Sequence, residues 1–113
     1  MILFLATISL ELLQKLAAGL LHRDGVPPDR AAVIAHGLVL ADIRGIDIHG
    51  INCLPVSLAR VKADAIALNP SFKFKQVTPE IAPLDGRNTF GIVSATVAIE
   101  RLLKWPKLLN WYC

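Results

Sequence analysis

The chain reads as an α+β protein: N-terminal helices, then a short antiparallel β segment and a further helix. Three observations carry this. Apolar residues recur at helical spacing through residues 9–24 and again from Pro28 to about Ala41. Beyond Pro70 the period switches to alternation, and from Gly91 it returns to helical spacing.

Each element has local chemistry behind it. Ser9 is a suitable N-cap, Glu11 an acid favoured in a first turn, and Leu10, Leu13, Leu16/Ala17 and Leu20/Leu21 form a candidate buried stripe. Gly25 stops that helix. Val26-Pro27-Pro28-Asp29 starts the next one, since proline is tolerated in a first turn, and Ala31, Ile34, Leu38 and Ala41 are its expected stripe. Pro55 suits the opening of a third helix that runs to about Ala63 and ends before Asn69-Pro70. Phe72, Phe74 and Gln76 then fall on one face and Lys73, Lys75 and Val77 on the other, which predicts a strand with one wet face. Residues 81–84 are a candidate second strand, weakened by Pro83, and Asp85-Gly86-Arg87-Asn88 a turn. Ile92, Ala95, Thr96, Ile99 and Leu102/Leu103 predict a final helix that Pro106 ends.

Composition narrows the function classes. At 113 residues the chain is long enough for one domain that buries about 65% of its extended surface. Hydrophobic residues make up 54% and mean hydropathy is +0.52, high for a soluble protein standing alone. That excess predicts an apolar face covered by a partner or a second copy. The formal charge of +3 comes from 12 scattered Lys and Arg without aromatic interleaving, which argues against nucleic acid as a partner. Cys53 and Cys113 have no metal-ligand spacing and point to free thiols in a reducing, cytoplasmic compartment. The apolar start of the chain is too short to span a bilayer and lacks the basic residues of a signal peptide, so no membrane role is expected.

Charge, glycine and histidine crowd together in one place, Ala41-Asp42-Ile43-Arg44-Gly45-Ile46-Asp47-Ile48-His49-Gly50. The two glycines permit a sharp turn at a helix end, and His49 is the side chain suited to proton transfer near neutral pH. A solvated loop histidine capping a helix is the alternative reading. Asp47 either orients His49 or forms a turn, and Arg44 either attracts an anion or pairs with Asp42 or Asp47. His22 and His36 read as structural. No phosphate-binding glycine loop and no His-Glu-x-x-His metal motif is present.

Ala41-Asp42-x-Arg44-Gly45-x-Asp47-x-His49-Gly50, followed by Leu54-Pro55 and Arg60, resembles the N-terminal signature of the malate/L-lactate dehydrogenase family. That family also includes ureidoglycolate, sulfolactate and diketogulonate oxidoreductases. The resemblance spans about Ser9 to Leu103, the N-terminal portion of a family member, and leaves residues 104–113 as a non-matching tail. It implies a non-Rossmann fold, a homodimer, NAD or NADP as cofactor, and a small 2-hydroxy or 2-keto acid as substrate. By the same resemblance His49 is the acid/base residue. The family pattern has serine just before the histidine, arginine four residues after it and tyrosine eight after it; here Ile48, Cys53 and Ser57 stand there. A guanidinium that clamps a carboxylate through paired hydrogen bonds is thereby replaced by a thiol. Two readings follow: a fragment of a nicotinamide-dependent 2-hydroxy-acid dehydrogenase, and a truncated, non-catalytic helical interaction module.

Overall fold

The computed structural model describes residues 8–105. The apolar start of the chain and most of the expected tail, Cys113 included, lie outside them. Four helices make up the regular structure: α1 (Leu10–Arg23), α2 (Pro28–Ile43), α3 (Leu54–Lys62) and α4 (Gly91–Leu103). Two 3₁₀ turns, Asp47–His49 and Ile51–Cys53, connect α2 to α3.

The helix ends follow the expected chemistry. Ser9 caps α1, its Oγ accepting from the Leu12 amide at 3.1 Å. At the other end Gly25, with φ +106°, takes the left-handed position that lets the Gly25 and Val26 amides donate to the His22 and Leu21 carbonyls. Gly45, φ +75°, closes α2 in the same way, its own amide on Asp42 and that of Ile46 on Ala41. At the end of α3 the left-handed residue is Asp64 rather than glycine. His22 donates from Nδ1 to the Val26 carbonyl at 2.9 Å and so braces the first turn, a structural role as expected.

α1 and α2 form an antiparallel pair, since Leu10 and Glu11 line the same groove as Leu40 and Ile43. The core lies between them and against the other helices: Ala17, Leu21, Val26, Ala31, Ile34, Ala35, Leu54, Val61 and Val93 are buried together. α2 is the central helix, touching α1, α4 and the 3₁₀ turns. Gly37 lets α4 come close, because a Cβ there would strike the Ile92 side chain. Among the described residues no helix is long and apolar enough to cross a membrane.

The α+β expectation is corrected: the described residues contain no β-strand. Between α3 and α4 the chain is extended, and only two isolated antiparallel bridges form, Phe74 with Leu84 and Thr78 with Ile81. Alternation itself is real, with Phe72 and Phe74 half-buried and Lys73 and Lys75 exposed. A strand also needs a ladder of paired amides and carbonyls. Pro79 lies in the reversal, and Pro83 removes a donor from the returning segment, which pairs only at intervals. Arg30 holds the extended segment instead, donating to the Pro70 carbonyl at 2.8 Å and covering the Phe72 ring at 5.0 Å. The segment is closed at its neck, where Ala67 donates to Asn88, Asn88 Nδ2 donates to Ala65, and Thr89 Oγ1 donates to Ala67.

Candidate active site

The motif occupies the corner between α2 and α3. Once Gly45 has ended α2, the chain turns through Asp47–His49, and His49 stands on the outside of that turn, exposed to solvent. An exposed imidazole is open to an incoming substrate on every side that the chain leaves free. Arg44 and Asp47 are exposed as well, and neither forms an ion pair with another described residue. The expected pairing of Arg44 with Asp42 or Asp47 is therefore not made, and Asp42 is engaged by the backbone instead.

That engagement crosses the whole corner. The Asp42 carboxylate accepts from the Ile51 amide at 2.9 Å, reaching across the turn that carries His49. Gly50 is buried and lies directly under it, with no room for a Cβ beside the carboxylate. Its φ of −90° is open to any residue, so Gly50 is needed for space and not for the turn. The sequence offered Asp42 only as a partner for Arg44 and missed its bond to the backbone. The signal was there in an acid placed in the last turn of a helix, where the dipole disfavours it, nine residues before a glycine-flanked amide.

Of the other candidates, Cys53 is half-buried with a free thiol that donates to the Ile48 carbonyl at 3.0 Å. Ile48 points outward, 77% exposed. Ser57 lies on α3 and lines, with Arg60, a cavity of about 340 Å³ whose far wall is Asn88, Thr89, Phe90 and the first residue of α4. The structure thus gathers Ser57 and Arg60 at one cavity and sets Cys53 against the backbone of the motif, while His49 is outside the cavity lining. Among the described residues no three potential metal ligands cluster.

Comparison with known proteins covers nearly all the described residues. A family model described as malate/L-lactate dehydrogenase matches residues 8–107. The malate dehydrogenase of Pyrococcus abyssi is 34% identical over 88 residues, 74% of this chain and 24% of that protein. The ureidoglycolate dehydrogenase (NAD(+)) of Escherichia coli is 32% identical over 97 residues, 86% of this chain and 28% of its own length. The solved structure of sulfolactate dehydrogenase from Methanocaldococcus jannaschii superposes with a TM-score of 0.81 at 31% identity, over 88% of this chain and 29% of that one. This chain spans about a quarter of the length of the curated relatives it matches.

Proposed function

The chain belongs to the malate/L-lactate dehydrogenase family, and from that premise we propose that it forms the N-terminal part of an NAD- or NADP-dependent oxidoreductase acting on a small 2-hydroxy or 2-keto acid. The observation that carries this reading is His49, an exposed imidazole at a braced helix corner inside the matched region. In the direction of reduction, hydride adds to C2 of the keto acid and the oxygen on C2 takes a proton. His49 supplies that proton, and in the reverse direction it withdraws the hydroxyl proton. Arg44 adds positive charge close to the site, which favours an anionic substrate.

The nicotinamide is not assigned to residues of this chain. The cavity beside Ser57 and Arg60 is at the small end of the range for ligand pockets, and the described residues offer no glycine-rich phosphate cradle. Hydride transfer therefore belongs to the dehydrogenase as a whole, and proton exchange is what these residues contribute. In this reading residues 1–103 are the dehydrogenase-like part, residues 104–113 a tail, and the protein a cytoplasmic homo-oligomer. The free Cys53 thiol and the exposed apolar faces of α1 and α4 support the last two.

A second reading, a non-catalytic helical interaction module, is favoured by Ile48, Cys53 and Ser57 standing where the family pattern has serine, arginine and tyrosine. One experiment separates the two. The chain is joined to the remaining part of a relative such as the Pyrococcus abyssi enzyme, and oxidation of NADH and NADPH is followed with a panel of 2-keto acids. His49→Ala and His49→Asn should each lower turnover by about 10²-fold or more. Near-native turnover in both would remove His49 from the mechanism, and a joined protein without any activity would favour the second reading.

A further inference from the structure

Asp42 lies in the last turn of α2, where the carbonyl end of the helix disfavours a carboxylate. It gains nothing there from its own helix, and it pairs with no cation among the described residues. Its partner is the Ile51 amide, nine residues on, at 2.9 Å. The residues enclosed by that bond include Arg44, Asp47 and His49, the exposed polar groups of the motif. Gly50 admits the carboxylate, for any Cβ would occupy the same space. A bond from an amide to an ionised acceptor is stronger than one to a neutral acceptor, and this one ties the end of α2 to the start of the second 3₁₀ turn.

We propose that Asp42 is the positioning residue of the His49 loop: its carboxylate, admitted by Gly50 and anchored on the Ile51 amide, fixes where His49 stands at the corner of α2 and α3. The proposal rests on His49 as the proton-exchanging group and gives an exposed histidine on a short turn a fixed place. A general acid/base works only within hydrogen-bond reach of the reacting oxygen, so a wandering loop would spend little time in a productive geometry.

The test is amide hydrogen exchange and His49 side-chain relaxation by NMR on the joined enzyme, labelled selectively at residues 21, 49 and 51. The variants are Asp42→Asn, Asp42→Ala, Gly50→Ala and the Asp42→Ala/Gly50→Ala pair. The Ile51 amide should exchange about tenfold faster in Asp42→Ala than in the wild type, as expected when a local bond is lost. Asp42→Asn, which keeps an acceptor oxygen, should restore most of the protection and the order of the His49 ring. Gly50→Ala should match Asp42→Ala, and the pair should add nothing further, because both remove one bond. The Leu21 amide, in the last turn of α1 beside a fully buried side chain, reports whether a variant is folded and should be unchanged throughout. Equal Ile51 exchange in wild type and Asp42→Ala would overturn the proposal, and so would a His49 ring whose order ignores the Ile51 bond. A fall in Leu21 protection matching that of Ile51 would overturn it too, by showing a global effect. Loss of the Ile51 pattern removes Asp42 and leaves His49 in place. Near-native turnover of His49→Ala in the joined enzyme removes the acid/base reading and leaves the Ile51 bond in place.

Discussion

Cys53 sits one residue before α3, half-buried, its thiol spent on the Ile48 carbonyl. A thiol makes weak hydrogen bonds and carries no fixed charge, so it does little for a substrate carboxylate. Arginine presents a planar fork that matches a carboxylate at two points. If this position faces the substrate, Cys53→Arg in the joined enzyme should lower KM for malate, lactate or related acids by about tenfold or more. Steady-state kinetics across the panel would show it; an unchanged KM would place residue 53 away from the substrate. Asp42 and Gly50 carry a different lesson at the same scale. Gly50 was readable as a turn glycine, yet what it supplies is an empty volume beside a carboxylate, and that depends on residues nine apart meeting in space.

Helix boundaries were legible because capping is local: Ser9, Gly25, Pro28 and Gly45 each act on amides and carbonyls within a few residues. Faces were less legible. Leu10 and Leu16 belong to the expected stripe of α1 and are about half exposed, whereas Ala17 and Leu21 are fully buried. In so apolar a chain several stripes have the right spacing, and the neighbouring helix selects among them. The predicted strand failed for a related reason. Alternation reports a half-buried extended backbone, and pairing depends on a second segment, which here carries Pro83. Arg30 does the anchoring that a ladder would have done, so Arg30→Ala should loosen residues 68–74 by about 1–2 kcal/mol and leave the α1–α2 pair intact. Amide exchange or limited proteolysis would check it, and unaltered protection through this segment would assign the anchoring to its own backbone bonds.

Taken as a whole, the molecule leaves apolar surface uncovered: Leu10, Leu12 and Leu16 on α1, Ile99, Leu102 and Leu103 on α4. Chains of the curated relatives are about three times as long. On its own the chain should therefore self-associate at micromolar concentration and show no micromolar affinity for NADH or NADPH, as read by light scattering and nucleotide fluorescence. A clean monomer that binds either nucleotide would show that residues 1–113 hold a complete site. The neck of the extended segment has a different consequence. Because Ala65, Ala67, Asn88 and Thr89 fasten the two ends together, the stretch between them is free to vary in length without moving the helices it joins. Four glycine and serine residues inserted after Glu80, at an exposed reversal, should cost less than about 1 kcal/mol, since doubling a closed loop costs only about 0.6 kcal/mol. A melting curve would measure this, a large loss counting against the neck as the fastening point. Such a stretch is a tether of adjustable span, a place where the molecule can be lengthened toward a neighbour while the corner bearing His49 stays where α2 and α3 put it.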